Sequence, residues 1–227
     1  MINYQYIYKV AGSEKFEFNS EIEKKLKIEK NKIFEKLLFR DNYIIHKPES
    51  IDRKKISNRR EEWICKLTYK EHKNFSYELG YIYEFQVPLK IPKNKEYSKE
   101  RGKIDLISIN TKEKCVYLIE FKVWDNKENP WRAFLEIYTY YNMLGGEKRG
   151  TEFLIKLNNE YKKYSLKPIV LIERSKDEKS FYQRMKNIQN GLKASEVKLT
   201  EFAKNNSIKC YSCDVNDYII KNVKEEF

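Results

Sequence analysis

Along the chain the spacing of apolar positions changes from a helical period to an alternating one and back. "SEIEKKLKIEKNKIFEKLL" sets Ile22, Leu26, Ile33 and Leu37 at helical intervals behind a Ser20/Glu23 pair with capping-box spacing. It predicts an amphipathic helix, preceded by a short strand at 4–10. A second helix is expected over about 52–73, where Ile56, Trp63, Ile64 and Leu67 form one stripe. The period then falls to two. "YIYEFQVPLK" alternates and stops at Pro88, and "KIDLISIN" and "VYLIEFK" follow, joined by a connection short enough for an antiparallel hairpin. Pro130 opens a further helix, "WRAFLEIYTYYNML", closed by Gly145-Gly146. "KPIVLIE", 167–173, reads as a central strand, a final helix falls within 180–205, and a last strand lies near 208–212. The order helix, three strands, helix, strand predicts an α/β fold with a central mixed β-sheet flanked by helices.

Two strands break their own pattern. Asp105 interrupts the apolar alternation of "KIDLISI", and "VYLI" ends in Glu120-Phe121-Lys122. Glu120 and Lys122, two apart, share a face, so the hairpin brings three charged groups to one end of the sheet. Facing carboxylates in a strand core are costly unless neutralised. A divalent cation with a taste for hard oxygen ligands, Mg²⁺ or Mn²⁺, would neutralise them, and such an ion activates water and stabilises charge in phosphodiester hydrolysis. A neighbouring lysine would orient the water and balance charge on phosphorus.

Composition narrows the chemistry further. A formal charge of +12 favours a polyanionic partner, though only nine of the 46 basic residues are arginine. Two histidines, His46 and His72, leave little for imidazole-based catalysis or a multi-histidine metal site. Four scattered cysteines, including the lone pair Cys210 and Cys213, suit reduced thiols better than a disulfide scaffold. No long apolar run and no signal-peptide pattern is present, so a cytoplasmic protein with no membrane partner is expected.

Asp105 followed after fourteen residues by Glu120-Phe121-Lys122, on the second and third strands of this element order, resembles the PD-(D/E)xK nuclease superfamily. Ile104 stands where the family usually has proline. The resemblance implies a restriction-endonuclease-like core, α-β-β-β-α-β, spanning about 52–175 of a domain at 51–227, with 1–50 as a strand/helix extension. It implies Asp105, Glu120 and the Phe121 carbonyl as metal ligands, Lys122 as the residue that orients the attacking water, and an acid from the first helix. Glu61 is favoured for that role over Glu62, with Glu78 and Glu84 as alternatives. RecB-like members carry Gln-x-x-x-Tyr on the next helix, which the resemblance implies holds the nucleic acid or the active site; Glu136 and Tyr140 hold that spacing, with Glu in place of Gln. Trp131 and Arg132 could contact a base and a phosphate, and Lys103 the backbone, each with a plain alternative as core or surface. The expected activity is metal-dependent hydrolysis of DNA, with a homodimer suited to symmetric duplex cutting. A non-cleaving nucleic-acid-binding protein on the same fold, or an RNA-cleaving effector, are the alternatives.

Overall fold

The computed structural model describes residues 18–19, 21, 22, 24, 26, 59–71, 78–89, 102–189 and 199–227. Helix α1 (Arg60–Glu71) leads into strands β1 (Tyr81–Pro88), β2 (Lys103–Asn110) and β3 (Cys115–Lys122). Helices α2 (Pro130–Met143) and α3 (Gly146–Leu157) and a 3-10 turn at Asn159–Lys163 precede β4 (Ser165–Glu173). The chain closes with α4 (Phe181–Gln189), α5 (Leu199–Asn205), β5 (Lys209–Asn216) and β6 (Ile219–Glu225).

The six strands form one sheet in sequential order. β1, β2 and β3 pair antiparallel, β3, β4 and β5 pair parallel, and β6 returns antiparallel to β5. This is the mixed, helix-flanked α/β sheet that the sequence pattern predicts. The parallel strands β3 and β4 are covered on both faces, which is why their sequences are near-continuous apolar runs. In β3, Val116 and Leu118 enter the larger core against α2, while Tyr117, Ile119 and Phe121 enter the smaller core against α1. Trp63, Ile64 and Leu67 of α1 are buried as their spacing requires. α2 is buried nearly all round, starts at Pro130, and is capped by the Asn129 side chain, which accepts the Trp131 N–H. Phe18 and Leu26, from the segment preceding α1, are also buried in the larger core, and Phe18 stacks on Trp131 with ring centroids 4.3 Å apart.

Several elements depart from the pattern reading. α3 begins directly after Gly145, because Phe153, Leu154 and Leu157 form too narrow an apolar stripe to announce a helix. The final strand runs on to Asn216 and returns as β6 through a two-residue turn. Both turn residues, Asp217 (φ 51°) and Tyr218 (φ 61°), are left-handed, as such a turn demands, but without the glycine that usually signals it. In place of one helix over 180–205, two described helices flank 190–198. The strand at 4–10, the helix beyond residue 26 and the Ser20/Glu23 cap lie outside the described residues; among the described ones, the Asn19 side chain accepts the Ile22 N–H at 2.9 Å. All four cysteines are buried free thiols. Among the described residues, no helix is long and apolar enough to cross a membrane.

Candidate active site

The hairpin ladder between β2 and β3 runs from Asn110–Cys115 to Leu106–Ile119 and stops there. The next position sets Asp105 beside Glu120. Instead of continuing the ladder, Asp105 uses its side chain: Oδ2 accepts the Phe121 N–H at 2.9 Å, and Oδ1 accepts Gln86 Nε2 at 2.7 Å. The β1–β2 ladder also passes over this position, where Gln86 sits in the left-handed region at φ 49°. A carboxylate therefore wedges the sheet open at one edge.

Glu120 and Lys122 point from β3 toward α2, and both are buried. Lys122 Nζ lies 2.8 Å from Glu120 Oε1, 3.2 Å from Glu136 Oε2 and 3.6 Å from Glu128. Arg132 closes the network, 2.7 Å from Glu128 and 3.2 Å from Glu136. Burial pulls the Lys122 ammonium toward neutrality, but Glu120, Glu136, Glu61 and Asp105 outweigh it and hold its pKa well above the ordinary value. Lys122 is thus a fixed cation, not a proton acceptor. Burial, the nearby Asp105 charge and a hydrogen bond shared with Glu136 push the Glu120 carboxyl well above the usual carboxylate range. Glu136 moves the other way: burial opposes its charge, but Lys122, the Glu120 hydrogen bond and Arg132 prevail and lower its pKa.

From the opposite face, the first turn of α1 delivers Glu61. Its Oε1 accepts Asn126 Nδ2 at 2.9 Å and the Val123 N–H at 3.3 Å, tying helix and β3 exit together. Here a cleft of about 580 Å³ opens, lined by Arg60, Glu61, Gln86, Lys103, Asp105 and Asp125 among others. Asp105 keeps some exposure to it, yet burial raises its carboxyl to about 7, with Lys122 opposing and Glu61 adding to the rise. Next to the cleft, Arg60 grips Glu173, at the end of β4, through both guanidinium arms at 2.5 and 2.7 Å.

The structure thus brings Asp105, Glu120, Lys122 and Glu61 to one end of the sheet, from β2, β3 and α1. Glu62 turns to Arg59 instead, 3.2 Å away, Glu84 accepts the N–H of its own neighbour Phe85, and Glu78 lies at the far end of the hairpin. Lys103 lines the cleft. Phe121 contributes its N–H to Asp105, its ring being core. Three of the proposed nucleic-acid contacts need correction. Trp131 is core: with Phe18 stacked on it and Phe202 against it, it has no face for a base. Glu136 is buried, with both oxygens engaged by Lys122 and Arg132, so it holds the lysine and does not reach for substrate. Tyr140 is buried beneath Gly102, where an added Cβ would meet its hydroxyl at 2.3 Å.

Sequence reasoning missed Gln86, Gly102 and the Arg60–Glu173 pair. Glu173 did carry a signal, since it ends "KPIVLIE" with an acid as Glu120 ends "VYLIE". Gln86 carried none, because its position depends on a left-handed backbone.

The donor chemistry fits a hard divalent cation. Burial is the main force that holds Asp105 and Glu120 back from ionising, a bound cation would oppose it, and their oxygens suit Mg²⁺ or Mn²⁺. Among the described residues no three acids, histidines or cysteines gather closely enough to chelate an ion by themselves. Such an ion would rely on two carboxylates plus backbone oxygen and water, the habit of Mg²⁺. Comparison of the chain with protein-family models, with curated proteins and with solved structures finds no match in any of the three.

Proposed function

We propose that this protein is a divalent-cation-dependent nuclease that hydrolyses phosphodiester bonds in DNA, built on a restriction-endonuclease-like core of the PD-(D/E)xK type. One observation carries the reading. Asp105 lines one cleft with Glu61 of α1, and Glu120 and Lys122 of the neighbouring strand lie buried at the same end of the sheet against α2, on the element order α1-β1-β2-β3-α2-β4.

In this reading Asp105 and Glu120 would hold the cation. Bound there, it would lower the pKa of a water and stabilise charge gathering on the phosphate. The other roles belong to the chain. Lys122 stays protonated under the grip of Glu120 and Glu136, and places a positive field beside the phosphorus as water attacks and one P–O ester bond breaks. Glu136, itself braced by Arg132, fixes the lysine's position. Gln86 orients Asp105, and Glu61 clamps the turn after β3 so that Val123 and Asn126 form the cleft wall. Lys103 on the rim attracts the phosphate backbone.

The test is cleavage of plasmid, linear duplex and single-stranded DNA, and of RNA, with Mg²⁺, Mn²⁺ or EDTA. Asp105→Asn keeps the shape of the residue and should abolish a metal-dependent activity of the wild type. Absence of metal-stimulated cleavage on every substrate would defeat the proposal. The second reading, a non-cleaving nucleic-acid-binding protein, draws on the fact that Lys122 already satisfies Glu120 and Glu136 within the protein. It requires DNA binding with no turnover.

A further inference from the structure

Three large apolar side chains are exposed among the described residues: Trp124, Ile155 and Tyr218. Two of them adjoin the cleft. Trp124, 36% exposed, lies between Val123 and Asp125, both of which line it. Its backbone is fixed, because its N–H donates to the same Glu173 carboxylate that grips Arg60. Tyr218, 47% exposed, sits at the tip of the β5–β6 hairpin. Cys213 of β5 is level with Glu173 at the end of β4, so residues 214–216 carry that tip past the sheet edge where the cleft opens. The Ile220 N–H donates to Thr68 Oγ1 at 3.1 Å, anchoring the hairpin to α1, whose first turn supplies Arg60 and Glu61. The Arg60 pKa is raised chiefly by its hydrogen bond to Glu173, with Asp125 and, least, Tyr218 adding to the rise.

The backbone at Tyr218 makes the residue's presence harder to dismiss as filler. At φ 61° a bulky side chain is strained where glycine or asparagine would be comfortable, and strain of this kind tends to be retained where a side chain is used. An aromatic exposed beside a cleft lined by both acids and bases offers a π-face to a nucleobase. In a duplex the bases are stacked on one another and hidden; only an unpaired strand can present them.

We propose that Trp124 and Tyr218 form a stacking platform for unpaired bases, so that the strand led into the cleft is single-stranded DNA. This rests on the nuclease reading for the direction of the strand, but its binding test stands apart from catalysis. Of the three tryptophans, Trp63 and Trp131 are buried, so quenching of tryptophan fluorescence by a nucleic acid reports mainly on Trp124. The full chain, in EDTA, would be titrated with an oligothymidine of about 15 nucleotides and with a duplex of equal length. The expected results are quenching by the single strand, an affinity about tenfold above that for the duplex, and a loss of about tenfold in Trp124→Ala, which lacks the reporter and is followed by the anisotropy of a dye-labelled strand. Tyr218→Ala should weaken the single strand by at least about threefold while Trp124 still reports, and Ile155→Ala should change nothing. Equal affinity for strand and duplex, or unchanged strand affinity in Trp124→Ala, would overturn the platform. Tighter binding of a matching RNA strand would overturn its assignment to DNA. Strand binding without metal-dependent cleavage would sink the nuclease reading and leave the platform standing. Cleavage lost in Asp105→Asn but indifferent to Trp124→Ala and Tyr218→Ala would do the reverse.

Discussion

Asp105 is charged at a cost that the fold imposes. Its carboxyl stands at about 7 in the folded chain against an ordinary 3.8, chiefly because burial disfavours the anion. Between those values the native state holds a proton that the unfolded chain has released, so stability falls as pH rises from about 4 to about 7 and levels off above. Asp105→Asn should flatten that decline and stabilise the protein at pH 8 by roughly 1–3 kcal/mol, read from denaturant unfolding at several pH values. In the wild type, Mg²⁺ or Mn²⁺ should raise Tm at pH 8 and do little at pH 5, where the carboxyl is already neutral. An equal rise at both would mean that the ion binds elsewhere. Lys122 behaves in the opposite sense. Lys122→Met leaves Glu120 and Glu136 facing each other without their cation, so it should lower stability by about 3–5 kcal/mol, as breaking a buried ion pair does. Loss of cleavage in that variant is therefore informative only beside Asp105→Asn, which should remain folded.

Among the elements, α2 and the start of β2 set the precision of the site. α2 supplies Glu136 and Arg132, four residues apart on one helical face, so the brace on Lys122 is as rigid as the helix itself. β2 begins behind Gly102, at φ 132°, with Tyr140 of α2 packed against it. Gly102→Ala would bring a methyl to 2.3 Å from the Tyr140 hydroxyl in a backbone conformation that alanine resists. Overpacking of this kind costs about 1–3 kcal/mol, and the shift should pass to Lys103 and Asp105 within the same strand. Thermal unfolding should show the first effect, and a cleavage rate lower than the Tm loss alone explains should show the second. A variant as stable and active as wild type would mean that the segment preceding β2 yields freely.

On the scale of the whole molecule, the formal charge of +12 predicts nucleic-acid affinity with a steep salt dependence. Raising salt from about 50 to about 200 mM should weaken single-strand binding by at least about tenfold, since each neutralised phosphate releases a counterion with a slope near 0.7. A salt-independent affinity would point to contacts through stacking alone. What the sequence by itself determined was the sheet and the end of it at which charged residues gather. β1, β2, β3 and β4 were legible because an apolar period of two, or a run buried on both faces, is a local record of burial. Asp105, Glu120 and Lys122 were legible for the converse reason, as charges placed where such a record forbids them. Tertiary structure alone decided which charges answer one another. Glu61 and Glu62 look alike on paper, and only the crossing of α1 beneath β3 turns Glu61 to Val123, while Glu62 pairs locally with Arg59 one turn back. Glu136 became a brace and Trp131 a core residue for the same reason: an amphipathic period tells that a side chain is buried, not what it is buried against. The β5–β6 hairpin, with its left-handed Asp217 and Tyr218, was invisible because its turn is held by long-range packing on α1 instead of by glycine.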